Sequence, residues 1–182
     1  LDKVDYYITV DSDTIINTAG IYRLMSPIIR YKNIGAVTGD LKVENSQNNL
    51  LTRIIALRYW MACNFERAAQ SLTGTMLCCA GPFTVYRGDL IRKVQEAYIS
   101  QTFFGTKCTY GDDRHLTNLV IREGYNTRYQ EEAYASTYVP NTMKEYLTQQ
   151  TRWSKSFLRE IIWTLKAHNK ISFYSLIDTF IQ

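Results

Sequence analysis

The first pattern along the chain is an apolar run between residues 4 and 10 that is rich in aromatic and β-branched side chains. Such a run, followed by turn-forming residues, predicts a buried strand. Two carboxylates one residue apart, Asp11 and Asp13, come directly after it. The pattern therefore places both carboxylates at the C-terminal edge of a strand, where open α/β sheets bind their ligands.

The rest of the chain alternates between helical and strand periodicity, which indicates an α/β fold. Strand patterns cover residues 34–43, 74–82, 83–87 and 125–138, and the second of them ends in a turn at Gly81 and Pro82. Thr18 is expected to cap the first helix, and Pro27 to kink or end it. Apolar residues at helical spacing predict helices over residues 17–31, 48–72, 90–98, 112–124 and 143–165.

The carboxylates Asp11 and Asp13 have two interpretations. Carboxylate oxygens suit hard cations such as Mg²⁺ or Mn²⁺, which keep several waters and bridge substrate phosphates, so the pair predicts a metal–diphosphate site. The alternative is an Asx-rich turn after a strand. Asp40 lies at the edge of the next predicted strand and is a second candidate for the same site.

Asp112 and Asp113 follow Gly111 at the start of a helix that is expected to end at Gly124. Either aspartate can cap this helix, and both can complement its dipole. The functional alternative is that one of them is a general base that accepts a proton from an attacking hydroxyl. The neighbouring His115 is interpreted as a packing or surface residue.

The segment from Gln149 to Lys155 carries the third candidate group. The guanidinium of Arg152 is a planar donor fork that fits a diphosphate, and Trp153 offers a flat apolar face to a sugar ring. The alternative interpretation of Trp153 is a buried side chain that anchors the hydrophobic core. Arg67, near the end of the second helix, is explained either as functional or as part of a solvated turn.

Composition narrows the class of protein only in part. The 182 residues are 46% hydrophobic and 21% charged, which is typical of a globular domain. The net charge of +4 is spread along the chain, so we expect no nucleic-acid partner, whereas an anionic substrate or membrane face is compatible with it. The four cysteines lack C-x-x-C spacing and are expected to be reduced thiols. Because residue 1 is Leu and a strand begins almost at once, we expect a piece of a longer protein.

Three weak motifs stand in a fixed order: Asp11-Ser12-Asp13, Gly111-Asp112-Asp113 and Gln149-x-x-Arg152-Trp153. This order and spacing resembles the processive family 2 glycosyltransferases. Further blocks at 58–62, 66–71, 81–87, 111–118 and 149–156 resemble hyaluronan synthases and, less closely, nodulation chitooligosaccharide synthases and chitin synthases. The resemblance covers nearly the whole chain.

The resemblance implies a fold and a role for each matching residue. The fold would be a partial GT-A domain over residues 1–182, its C-terminal portion, without the first uridine-binding strands. Asp11 and Asp13 would bind Mg²⁺ or Mn²⁺ and, through it, UDP, and Asp113 would be the catalytic base. Further residues would bind UDP (Gln149, Arg152) or the acceptor (Trp153, Gly81, Pro82, Asp40).

The resemblance also implies a function and a setting. The function would be inverting, metal-dependent transfer from UDP-sugar donors to a growing polysaccharide, most closely hyaluronan synthesis from UDP-GlcNAc and UDP-GlcA. Two alternatives stay open: a chitin or chitooligosaccharide synthase that uses UDP-GlcNAc alone, and a non-catalytic carbohydrate-binding module. The parent would contact plasma-membrane lipid, with the catalytic domain facing the cytosol. Residues 143–182 would form a helical part that ends in a membrane-interface helix.

Overall fold

The computed structural model of the chain describes residues 3–103, 105–108 and 111–166. Seven strands and six helices form an α/β fold in this part of the chain. The interface helix that was expected near the end of residues 143–182 lies outside the described residues. The strands are β1 (Tyr6–Val10), β2 (Ile15–Ile16), β3 (Ile34–Val43), β4 (Phe83–Arg87), β5 (Thr102–Phe103), β6 (Thr106–Lys107) and β7 (Asn126–Thr137).

The helices match the predicted segments to within a few residues. The second predicted helix continues through a π-helical turn, Ala62–Arg67, into a third. The helices are α1 (Gly20–Arg30), α2 (Leu50–Met61), α3 (Ala68–Thr73), α4 (Gly88–Ile99), α5 (Asp112–Arg122) and α6 (Met143–Lys166). Among the described residues, none of these helices is long and apolar enough to cross a bilayer.

Five strands form one mixed sheet in the order β1-β4-β3-β7-β2. Strands β3 and β7 run parallel, and the other neighbours are antiparallel. Because side chains alternate across a strand, Val37 faces one core cluster with Leu24 and Ile28 of α1, whereas Ala36 faces a second with Val120 of α5. Helices therefore cover both faces of the sheet.

The prediction that the first strand is buried is wrong. In the described chain β1 pairs with β4 alone and stands at the edge of the sheet. Ile8 and Val10 consequently keep 36% and 43% of their surface exposed. A periodicity argument identifies a strand but not its place in the sheet, because that place depends on pairing with distant segments.

The predicted strand over residues 74–82 is also wrong, because the segment is irregular. Distant threonine side chains take the place of a neighbouring strand. Thr127 accepts a hydrogen bond from Met76 N at 2.6 Å and donates to Met76 O at 2.9 Å, and Thr117 accepts from Cys79 N at 2.9 Å. These bonds satisfy a buried backbone without a sheet ladder.

Two helix caps differ from the prediction. Thr18 does not cap α1: the Asn17 side chain accepts from Ala19 N at 3.2 Å, and the helix begins at Gly20. Neither aspartate caps α5, since Gly111 is the N-cap residue and has a left-handed φ of 80°. Asp112 and Asp113 are instead the first two residues of the helix, where its dipole favours negative charge.

Candidate active site

Two of the three motifs meet at the turn that contains Gly81. A Cβ atom placed on Gly81 would lie 3.8 Å from Asp11 Oδ1 and 3.8 Å from the Cβ of Asp113. Asp11 follows β1, and Asp113 lies in the first turn of α5. The end of an edge strand, a Gly-Pro turn and a helix N-terminus therefore form one site.

Asp13 is held beside Asp11 by a short turn. Thr14 N donates to Asp11 O at 3.0 Å, and β2 begins at the next residue and pairs with the end of β7. From β7, Thr137 Oγ1 donates to Asp13 Oδ1 at 3.5 Å. The spacing of the two aspartates thus follows from a turn that the sheet anchors.

The electrostatics relate Arg152 of the third motif to these carboxylates. Partial burial raises the pKa of the Asp11 carboxyl above its usual value, and the nearby carboxylates of Asp13 and Asp113 raise it further. The guanidinium of Arg152 opposes that rise. Arg152 on α6 is therefore close enough to Asp11 to act on its charge.

This accumulation of carboxylates fits a divalent cation. Asp11 and Asp13 offer hard oxygen ligands, and Mg²⁺ in proteins is commonly held by one or two carboxylates together with substrate phosphates and water. The raised pKa of Asp11 indicates negative charge that a cation would relieve. No group of three or more His, Cys, Asp or Glu in the described residues is arranged to hold a metal.

The Asp113 carboxylate is oriented by two donors. Arg114 N donates to Oδ1 at 2.8 Å, and the Cys78 thiol donates to Oδ2 at 3.7 Å. Burial, followed by the charge of Asp113, raises the pKa of Cys78 to about 11, so this group is a protonated donor at neutral pH. Each oxygen of this half-buried carboxylate therefore accepts one hydrogen bond.

Helix α6 presents Gln149, Arg152 and Trp153. The exposed fraction of Trp153 is 42%, so the interpretation of Trp153 as a core anchor is wrong. The side-chain carbonyl oxygen of Gln149 is buried and has no hydrogen-bond partner among the described residues. The exposed ring of Trp153 is thus accessible to a ligand, whereas the Gln149 oxygen is enclosed by protein.

Asp40 does not lie at a strand edge as predicted. It lies within β3 at a register shift between Gly39 and Asp40, where the pairing with β7 jumps by several residues. Its Oδ1 accepts from the Tyr129 hydroxyl at 3.1 Å. The Asp40 carboxylate thus faces Tyr129, and it also acts on the Cys63 thiol.

Arg67 is a residue for which the sequence pattern left a functional role and a solvated turn both open. It lies on the π-helical turn, half-buried, and Nη1 donates to the Cys63 sulfur at 3.3 Å. Burial raises the pKa of Tyr59 to about 12 against the opposing charge of Arg67, and Asp11 and Asp13 act on the same hydroxyl. The interpretation of Arg67 as part of a solvated turn is therefore wrong. The four-residue spacing of Tyr59, Cys63 and Arg67 is the signal that could have revealed it.

Comparison with known proteins decides the family. The family model described as chitin synthase matches residues 1–181.

The chain belongs to the chitin synthase family.

Relatives in this family agree with the resemblance seen in the sequence. Human hyaluronan synthase 3 is 38% identical over 98% of the chain, and the N-acetylglucosaminyltransferase of Azorhizobium caulinodans is 41% identical over 93%. The aligned region is 33% of the first relative and 43% of the second. The chain therefore spans less than half the length of these relatives. The chain belongs to the family 2 glycosyltransferases.

A solved structure confirms the fold. The mannosyltransferase PcManGT from Pyrobaculum calidifontis, in complex with GDP-Man and Mn²⁺, matches with a TM-score of 0.62 at 13% sequence identity. The match covers 89% of this chain and 39% of that one. The predicted GT-A fold class is confirmed. This member of the chitin synthase family contains part of such a domain.

Proposed function

We propose that this chain is the catalytic part of a processive glycosyltransferase that adds sugars from UDP-sugar donors to a growing polysaccharide, most closely hyaluronan from UDP-GlcNAc and UDP-GlcA. The observation that carries the proposal is that Asp11 and Asp113 meet at Gly81, with the charge of Arg152 acting on Asp11. These residues come from segments about 100 and 40 positions apart in the chain. Groups for the donor phosphates and a separate proton acceptor thus share one site.

The donor side of this mechanism uses charge complementarity. Asp11 and Asp13 would hold Mg²⁺ or Mn²⁺, which supplies positive charge to the UDP diphosphate. Arg152 adds a forked donor to the phosphate oxygens, and Gln149, one turn earlier on α6, is proposed to bind UDP through its side-chain amide. Together they stabilise the negative charge that develops on UDP as the glycosidic bond breaks.

The acceptor side uses Asp113. Its carboxylate accepts the proton of the acceptor hydroxyl while that oxygen attacks the anomeric carbon from the face opposite UDP, which inverts the configuration. Trp153 stacks under the acceptor sugar, and Gly81 and Pro82 form the adjacent wall. Asp40 offers a further hydrogen-bond acceptor to a sugar hydroxyl.

A second candidate is a chitin or chitooligosaccharide synthase that uses UDP-GlcNAc alone. The 41% identity to the Azorhizobium N-acetylglucosaminyltransferase favours it over other members of the class. A non-catalytic carbohydrate-binding module is the candidate from another class. The intact set of Asp11, Asp13, Asp113 and Arg152 argues against that module, because binding alone needs no proton acceptor beside a metal site.

We also propose that the domain works at the cytosolic face of the plasma membrane. A stripe of exposed apolar side chains on α2, the π-helical turn and α3 supports this setting. A soluble monomer seldom exposes a contiguous apolar patch of this kind without a partner. The stripe consists of Leu50, Ile54, Leu57, Met61, Phe65 and Leu72.

Two substitutions in the complete gene product separate the proposed roles. With Asp113→Asn, UDP affinity in Mg²⁺ should stay within about threefold while sugar transfer falls by about 100-fold or more, the usual scale for loss of a general base. With Asp11→Asn, metal-dependent UDP affinity itself should fall, and removing the metal with EDTA should have the same effect on the unsubstituted protein.

The exposed Glu131→Gln is the matched control, and both quantities should stay unchanged in it. Loss of UDP binding in Asp113→Asn would contradict the role of Asp113. UDP binding without any transfer in the unsubstituted protein would favour the binding-module candidate.

A further inference from the structure

A buried charged group joins α6 to α5 outside the site described above. Glu160 on α6 is 2% exposed, and its Oε2 accepts from Asn118 Nδ2 of α5 at 2.8 Å. Its Oε1 accepts from both Nε and Nη2 of Arg159 at 3.2 Å. His115 Nδ1 lies 3.6 Å from the same oxygen. A carboxylate so deeply buried is retained only where its donors are well placed, because removing a partner leaves the charge uncompensated.

The same part of α6 lies directly against the segment that precedes Asp113. A Cβ atom on Gly111 would overlap the Ser156 hydroxyl and would lie 2.9 Å from Arg159 Nη2. Ser156 is 4% exposed. The backbone of Gly111, the N-cap residue of α5, is thus in close contact with Ser156 and with the guanidinium of Arg159.

These two contacts fix α5 at two points. Through Arg159, Glu160 supports the N-cap residue Gly111, and through Asn118 it holds the middle of the same helix. Asp113 lies between the two points, in the first turn of α5. On the α6 side, Arg152 lies two helical turns before Glu160, on the same continuous helix.

We propose that Glu160 is a positioning residue that sets the distance between Asp113 and Arg152 by locking α6 onto α5. This inference rests on the proposed function, in which Asp113 is the base and Arg152 binds the leaving group. A base and a donor site must be aligned to well within 1 Å for transfer, whereas each can still bind its own ligand when their alignment is lost. Glu160 therefore acts on the chemical step and not on UDP binding.

The test uses the substitution Glu160→Gln in the complete gene product. This substitution keeps the shape of the side chain but replaces one acceptor oxygen by an NH₂ group, a donor that would face the donating NH₂ group of Asn118. Transfer should fall by about 10- to 100-fold while UDP affinity stays within about threefold. Hydrogen exchange of the amides of residues 112–114 should become faster. The swap Glu160→Gln with Asn118→Asp restores one donor, one acceptor and the same net charge, and it should recover both quantities.

The exposed Glu96→Gln on α4 is the matched control and should change neither quantity. If Glu160→Gln does not fold, Asn118→Ala replaces it, because that substitution keeps the Arg159–Glu160 contact. It should also lower transfer while UDP affinity is retained, but by a smaller factor. Unchanged transfer, an equal loss of UDP affinity, or no recovery in the swap would overturn the proposal. Absence of transfer in the unsubstituted protein would instead count against the proposed function, and hydrogen exchange would still decide whether Glu160 holds α5.

Discussion

The Asp113 carboxylate shows how single residues tune the site. It accepts from Arg114 N and from the Cys78 thiol, and that thiol donates only while it is protonated. Burial first, and then the charge of Asp113, raises the pKa of Cys78 from 9.0 to about 11. The two groups are therefore coupled: burial and the charge of the carboxylate together keep the thiol protonated, and the thiol orients the carboxylate.

This coupling predicts the pH dependence of Cys78 alkylation. Only the thiolate reacts, so a pKa raised by about two units lowers its reactive fraction by about 100-fold at pH 8, and the rate should rise with pH up to about 11. Iodoacetamide labelling followed by peptide mass spectrometry measures that rate.

Replacing Asp113 by Asn removes a cause of the raised pKa, so Cys78 should then react faster at pH 8. The neighbouring exposed Asp112→Asn is the control and should leave the rate unchanged. Labelling of Cys78 at the rate of free cysteine in the unsubstituted protein would show that the thiol does not lie in this environment.

Helix α5 illustrates how an element positions the site. It begins after Gly111 and is followed by Gly124, and both glycines have left-handed backbone, with φ of 80° and 85°. The two differ in their surroundings, because Gly111 contacts α6 and a Cβ on Gly124 would meet nothing within 4 Å. They form a matched pair that separates backbone strain from packing.

Alanine substitution at these two positions should have unequal effects. Gly124→Ala adds only backbone strain, so the free energy of unfolding should fall by about 1–2 kcal/mol with transfer retained. Gly111→Ala adds overlap with Ser156, for a total of about 3 kcal/mol or more, and should abolish transfer.

Thermal or denaturant unfolding of the complete gene product measures both effects. Ser156→Gly should recover part of the loss in Gly111→Ala because it makes room for the new methyl group. Equal effects of the two alanines would contradict the contact between α6 and Gly111.

Sequence patterns predicted the elements that are stabilised by local interactions or that have a strong hydrophobic periodicity. Helix α1 and strand β3 appear within three residues of their predicted bounds at either end. The apolar segment 74–82 failed because its partners, Thr117 and Thr127, lie 38 and 51 residues away from the backbone groups that they bind. No local pattern carries that information.

The site residues also divide into those that a local sequence pattern reveals and those whose placement depends on the folded structure. The motifs with Asp11, Asp113 and Arg152 were visible as residue patterns, and the resemblance brought them together before the structure did. The role of Arg67 stayed undecided because its position on a π-helical turn shifts the helical register by one residue, which ordinary helical spacing does not anticipate. Asp40 was misplaced because a strand irregularity, not a strand end, directs its side chain.

On the scale of the whole molecule, the proposed chemistry and the proposed membrane contact use different residues. The candidate carboxylates Asp11 and Asp113 lie at the end of β1 and the N-terminus of α5, whereas the apolar stripe runs along α2, the π-helical turn and α3, and Arg67 lies on that turn. Within the stripe Leu57 is 57% and Phe65 is 61% exposed, and Trp60 beside them packs edge-on against Phe65. These exposed apolar and aromatic side chains are the groups that would meet lipid in the proposed setting.

The proposed membrane contact predicts where lipid-attached quenchers reach the protein. A fluorophore on Leu57→Cys should be quenched by doxyl-labelled lipid in membranes that contain the complete gene product. The same fluorophore on Glu96→Cys, exposed on α4, should not be, after subtraction of the signal from native thiols. Equal quenching at both positions would remove the support that the stripe gives to a membrane setting.

The measurement that tests the central claim most directly is identification of the product. The complete gene product is supplied with Mg²⁺ and with UDP-GlcNAc and UDP-GlcA, separately and together, and any polymer is digested with hyaluronidase and with chitinase. The account predicts polymer only when both donors are present, and predicts that hyaluronidase degrades it. Polymer from UDP-GlcNAc alone that chitinase degrades would establish the second candidate, and no UDP release from any mixture would contradict the proposal of a polysaccharide synthase.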